Sequence, residues 1–124
     1  MSGKNRSFLS GFLHAADGVI EALKTERSMR IHAVTAALVV IFGFLLGISL
    51  WEWVVCVTLF GLVMGAELLN TAIENAIDIC CPGPDPRAKR AKDVAAAAVL
   101  MVSLTAGVAG LLIFIPKVWA VVFG

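Results

Sequence analysis

The feature that most constrains this chain is where its charges are missing. From Ala33 to Trp51, 19 consecutive residues carry no formal charge; 14 more run from Trp53 to Ala66, and 23 from Val94 to Pro116. A helix needs about 20 mostly apolar residues to cross a bilayer. The first and third runs meet that requirement directly. The second meets it only by continuing through Glu67 and Glu74 towards Asp78, which carries acids into the membrane. Composition agrees, because 60% of the 124 residues are hydrophobic and 15% charged, against about 45–50% and 25% in soluble domains. A domain this small has too little interior to hide so many apolar side chains. An ordinary soluble enzyme, a disordered chain and a nucleic-acid-binding module are therefore excluded. A formal net charge of +1 selects no partner.

The basic residues set the expected topology. Lys4, Arg6, Lys24, Arg27 and Arg30 precede the first run, and Arg87, Lys89, Arg90 and Lys92 lie between the second and third. The connection around Glu52 has none, and only Lys117 follows. Three spans, at about 33–51, 53–78 and 94–116, put nine of the ten basic residues on one side. The positive-inside rule makes that side cytoplasmic, with the C-terminus outside. Trp51, Trp53 and Trp119 suit the opposite interface. Residues 1–30 are then cytoplasmic or interfacial. Residues 7–24 lack the continuous apolar core of a signal peptide, being interrupted by Asp17 and Glu21. Phe8, Phe12, Leu13, Val19, Ile20 and Leu23 fall instead broadly on one helical face, as in a helix lying in the interface. The Cys80–Pro86 segment is dense in breakers and ends the second long helix. Asp85 and Pro86 make an N-cap and first-turn pair for the third. The expected architecture is all-α: one domain over 1–124, with an amphipathic N-terminal helix and three membrane spans.

Glu67, Asn70, Glu74 and Asp78 stand at relative positions 0, 3, 7 and 11, which share one helical face. Glu67 and Glu74 are about 10 Å apart along the axis, too far to share a proton but suited to two tasks at two depths. Ionisable groups inside spans are costly and by default face a bundle interior or a site. The bland alternative is a polar seam that glues helices together. Glu26, just before the first span, reads by itself as a solvated helix residue. On the same side as Glu74 it could supply a second hard oxygen ligand, since magnesium takes one or two carboxylates plus waters and substrate phosphates. Lys89, Lys92 and Asp93 form a membrane-proximal set able to hold phosphate, whereas Arg87 and Arg90 read as ordinary flanking charge.

Other chemistries lack their motifs. There is no G-x-x-x-x-G-K-[ST], G-x-G-x-x-G or H-E-x-x-H. Cys56, Cys80 and Cys81 form no C-x-x-C site and read as structural. Gly61-x-x-x-Gly65 and Ala95–Ala98 favour close helix packing. Three helices offer little cover for a polar stripe, so self-association is expected.

The chain strongly resembles the prokaryotic diacylglycerol kinase family of small integral-membrane lipid kinases. The matching segments are Glu67-Leu68-Leu69-Asn70-Thr71-Ala72-Ile73-Glu74 and Ala88-Lys89-Arg90-Ala91-Lys92-Asp93-Val94-Ala95-Ala96, with Glu26 before the first span. Phe12–Gly18, Thr25-Glu26-Arg27, Glu52-Trp53 and Gly110–Lys117 look like the undecaprenol kinase branch. The resemblance implies a homotrimer with sites shared between subunits, in the cell membrane, acting on MgATP and a lipid alcohol, with no nucleic-acid partner. By match to the motif, Glu67 is the catalytic base, and Glu26 and Glu74 hold magnesium. Asn70, Glu74, Lys92 and Asp93 support the nucleotide and its phosphates, with His14 and Asp85 approaching them. Glu67, Arg30, His32 and Ala96 would meet the lipid. The implied reaction phosphorylates the lipid hydroxyl, undecaprenol being preferred over diacylglycerol, whose product would be phosphatidic acid. Two rivals from other classes are a small ion-coupled transporter, which leaves Glu26, Lys92 and Asp93 without a task, and a structural membrane adaptor.

Overall fold

A computed structural model describes residues 3–124, with side chains from Ser7 onward. Four helices follow one another: α1 (Gly3–Thr25), α2 (Arg27–Leu46), α3 (Leu50–Cys80) and α4 (Pro86–Phe123). The last three are long and apolar enough to cross a membrane. α1 is unbroken through Gly18. It stops at Glu26, whose extended backbone (φ −104°, ψ 117°) separates it from α2. The Arg30 guanidinium reaches back from α2 and donates to the carbonyls of Leu23 and Lys24 at 3.1 and 2.8 Å. It thereby satisfies acceptors that the end of α1 leaves open.

The first uncharged run does not make one helix. α2 ends at Leu46, Gly47 takes the left-handed conformation (φ 65°), and Ser49 caps α3. The Glu52 N–H donates to Ser49 Oγ at 3.2 Å, and the Ser49 N–H donates to Glu52 Oε1 at 2.9 Å, a reciprocal capping box. Leu50 and Trp51, counted with the first span on hydropathy, therefore open the second long helix. Hydropathy cannot register the break, because a glycine turn and a serine cap carry no charge. Trp53 folds back over the end of α2, with its ring 4.8 Å from that of Phe44. Its indole covers Gly43, where an added Cβ would lie 2.6 Å from the ring. Lys117 Nζ lies 3.4 Å from Glu52 Oε1, which brings the far part of α4 to this same end.

At the other end α3 stops at Cys80. Asp85 caps α4, its carboxylate accepting from the Arg87 N–H at 2.8 Å, with Pro86 in the first turn. That start and stop match the sequence expectation. α4 packs most extensively on α3, α2 also lies on α3, and α1 touches α2 and α3. Among the described residues Ala22, Met29, Ile48, Val63, Ala95 and Ile113 form the small buried core. Large apolar side chains elsewhere on α2–α4 stay exposed, Phe44 and Leu112 by nearly three quarters. A surface this apolar suits hydrocarbon or another apolar chain, not water. Nothing lies within 4 Å of a Cβ added at Gly61 or Gly65. The close packing expected of that pair is thus not made within one chain, and of Ala95–Ala98 only Ala95 is buried.

Candidate active site

Glu67 is the buried charged residue of the described chain, 4% exposed. An ionised carboxylate away from water is costly unless hydrogen-bonded, and α2 supplies the bonds. Ser28 Oγ donates to Glu67 Oε2 at 3.0 Å, and His32 Nε2 lies 3.1 Å from Oε1. Positions 28 and 32 are one helical turn apart, so both side chains meet α3 at the same level. Sequence reasoning put His32 among the lipid contacts and gave Ser28 no role. Their i, i+4 spacing at the start of a span was the available signal. Its partner, 39 and 35 residues away, could not be read from the sequence.

Further along α3 the Asn70 amide donates to Glu74 Oε1 at 3.3 Å, while Asn70 Oδ1 is buried without a partner. Glu67, Asn70 and Glu74 thus keep the common face that their spacing gives. Asp78 continues that face at the end of the same unbroken helix. It is exposed and pairs with Lys92 across the α3–α4 turn, so for this one acid the solvated ion pair is the right reading. Lys89 and Asp93 pair along the exposed face of α4 at 2.6 Å.

The remaining predicted residues are more dispersed. Glu26 sits half-buried at the α1–α2 break, and its side chain caps nothing. Among the described residues neither Glu26 nor Glu74 pairs with a lysine or arginine. His14 is exposed on α1, and Ala96 is exposed beside buried Ala95. Arg30, expected at the lipid, spends its guanidinium on the end of α1. Asp85 pairs with Arg87 at 3.3 Å. The Arg87 guanidinium and backbone N–H together hold the Asp85 carboxyl below the usual carboxylate range.

An apolar groove of about 730 Å³ runs between α2 and α4 with α3 as its floor. His32 stands near one end of its lining, and Trp53 and Phe114 lie towards the other. The groove could hold a hydrocarbon tail, with an attached polar head close to His32 and Glu67. No group of three His, Cys, Asp or Glu residues is placed to hold a metal among the described residues. Glu74 and the unpartnered Asn70 Oδ1 are hard-oxygen donors side by side on α3, a partial set that would leave an ion to draw its other ligands from water and phosphate; no contact among the described residues joins Glu26 to them.

Comparison with known proteins fits this arrangement. Residues 13–114 match the prokaryotic diacylglycerol kinase family. The undecaprenol kinase of Bacillus subtilis is 44% identical over 110 residues, covering 89% of both chains. A diacylglycerol kinase of Synechocystis is 36% identical over 111 residues, covering 89% of this chain and 63% of the relative. The transporter and adaptor alternatives receive no support from either relative. This chain belongs to the prokaryotic diacylglycerol kinase family and is a small lipid kinase.

Proposed function

We propose that this protein transfers the γ-phosphoryl group of ATP to the hydroxyl of a membrane lipid alcohol, with undecaprenol preferred over diacylglycerol. The observation that carries this reading is Glu67, a buried carboxylate at the polar end of an apolar groove. α3 rises about 1.5 Å per residue, so Glu67 lies about 26 Å along it from Leu50. Against a hydrocarbon core of about 30 Å, that depth puts Glu67 near the edge opposite the Glu52–Lys117 end. The positive-inside rule makes Glu67's edge cytoplasmic, where ATP is available. The lipid tail lies in the groove, and α1 rests on the cytoplasmic interface through exposed Phe8, Phe12 and Ile20. The whole chain, 1–124, acts as one domain. It works as a homotrimer, whose neighbouring subunits use the open faces at Gly61 and Gly65 and complete the nucleotide site.

In this reading Glu67 accepts the proton of the lipid hydroxyl as that oxygen attacks the γ-phosphorus. Glu26, Glu74 and Asn70 would hold the magnesium of MgATP, which neutralises charge on the phosphates when bound. Lys92, tied to Asp78 at the membrane edge, presents positive charge to the transferring group. Asp93, His14 and Asp85 border the nucleotide. Ala96 faces lipid, and Arg30 serves by fixing the α1–α2 corner. Undecaprenol is preferred because the undecaprenol kinase relative matches this chain at higher identity and along more of its own length.

The test is an ATP-dependent assay on the purified protein in detergent micelles, with undecaprenol and diacylglycerol side by side. Undecaprenol is expected to be phosphorylated faster; phosphorylation of diacylglycerol alone would reverse the preference. Glu67→Gln should preserve assembly and ATP binding and remove turnover, general-base catalysis being worth about 10²–10⁴-fold. Undiminished turnover in that variant would sink the base assignment.

A further inference from the structure

Glu67 is gripped at both of its oxygens by one turn of α2, and phosphoryl transfer by itself gives neither gripping residue a task. Ser28 Oγ takes Oε2 at 3.0 Å and His32 Nε2 takes Oε1 at 3.1 Å. An ionised carboxylate only accepts, through about four lone-pair sites, so the paired imidazole carries its proton on Nε2. Two sites are then occupied, one on each oxygen, and the others remain open to a substrate proton. The terminal torsion of a glutamate is broad and roughly two-fold. Left free, the carboxylate plane would sample many orientations. Two donors rising from a single helical turn fix that plane. His32 is also among the groove residues, whereas Glu67 is almost fully covered. A hydroxyl arriving from the groove therefore meets the carboxylate beside the His32 ring.

We propose that Ser28 and His32 are positioning residues for the Glu67 base, fixing its carboxylate so that an unoccupied lone pair faces the lipid hydroxyl. The proposal rests on the reading of Glu67 as the base. It differs from a polar seam that merely glues α2 to α3, because a seam places no demand on where the carboxylate points.

The experiment measures undecaprenol phosphorylation by the full-length protein in detergent micelles. It compares His32→Leu, Ser28→Ala and His32→Gln in the wild-type background, and His32→Leu again in a Glu67→Asp background. His32→Leu should lower kcat by about 10–100-fold with the KM for ATP unchanged, the range expected when a reacting group is misplaced by about an ångström. Ser28→Ala should act in the same direction, and it keeps the test available if His32→Leu fails to assemble. His32→Gln returns an N–H donor to the Nε2 position and should recover most of the loss. Glu67→Asp withdraws the carboxylate from the grip, so His32→Leu should cost little more in that background. An unchanged kcat in both His32→Leu and Ser28→Ala would overturn the proposal. So would failure of His32→Gln to improve on His32→Leu, or an equal fractional loss in the Glu67→Asp background. Failure of the base assignment itself shows up separately, as full turnover by Glu67→Gln.

Discussion

Around Gly47–Glu52 polar groups find their partners almost next door: Ser49 and Glu52 cap one another across three residues. Around Glu67 the partners come from another helix, and some groups are left with none. Glu67 bonds to residues 39 and 35 positions away, Asn70 Oδ1 is buried and unpartnered, and Glu26 and Glu74 form no salt bridge among the described residues. Native proteins leave few buried polar groups unpaired, and the exceptions call for a reason. Among the described residues these are Asn70 Oδ1, on the Glu67 face of α3, and Ser103 Oγ, on α4 beside the apolar groove. The turn end closes its polar groups on one another, whereas the Glu67 end leaves Asn70 Oδ1 unpaired, which the proposed ligand would explain. Substitutions at the two ends should therefore separate turnover from stability.

The largest effect belongs at the open end. Glu26→Gln and Glu74→Gln keep side-chain volume and remove a carboxylate charge, so each should raise the magnesium concentration needed for half-maximal phosphorylation. Loss of even an outer-shell partner costs about 10–100-fold in metal affinity, and a direct ligand should cost at least that much. Thermal stability in detergent without nucleotide should not fall, since neither carboxylate has an ion-pair partner to lose. Unchanged magnesium titrations would refute the ligand roles.

A middle-sized effect belongs at the turn end. Alanine normally favours a helix by about 1 kcal/mol over glycine, so Gly43→Ala in α2 would ordinarily stabilise. At Gly43, however, the new methyl would meet the Trp53 ring at 2.6 Å. Overpacking of this kind costs about 1–3 kcal/mol and should decide the sign. Gly43→Ala should lower the unfolding midpoint and leave turnover per folded molecule unchanged. A selective drop in kcat would join the two ends and break the contrast between them.

That contrast also tracks what the sequence made legible. The apolar runs, the breaker-rich 80–86 segment, the Asp85–Pro86 start of α4 and the Glu67–Asn70–Glu74 face were all readable, because each is written in local composition or helical period. The α2–α3 boundary escaped because the turn at Gly47–Ser49 sits inside an uncharged stretch, although Ser49-Leu50-Trp51-Glu52 has the capping-box form S-x-x-E. Ser28 escaped because its partner lies on another helix and no period connects them. Asp78 does continue the acidic face, but spacing alone cannot tell that Lys92 reaches it across the α3–α4 turn. Gly61 and Gly65 read as a close-packing pair, but nothing within the chain packs against them.

The smallest effect comes from comparing the two helix caps, one at each end. Ser49 caps α3 with a neutral hydroxyl, and Asp85 caps α4 with a carboxylate. Ser49→Ala should cost about 1 kcal/mol, the usual loss for such a cap. Asp85→Asn keeps a good capping side chain but loses the ionised pairing with Arg87, so it should lie slightly below wild type at neutral pH. The Asp85 carboxyl is held below its ordinary value of 3.8, first by the Arg87 side chain. Its ionised form is thus favoured in the fold. That stabilisation is fully present above the unfolded value and fades as pH falls through the lower folded one. Unfolding midpoints of wild type and Asp85→Asn should therefore converge as pH drops below about 4. A wild-type to Asp85→Asn gap that widens in acid would mean that the Arg87 pairing does not favour the ionised cap.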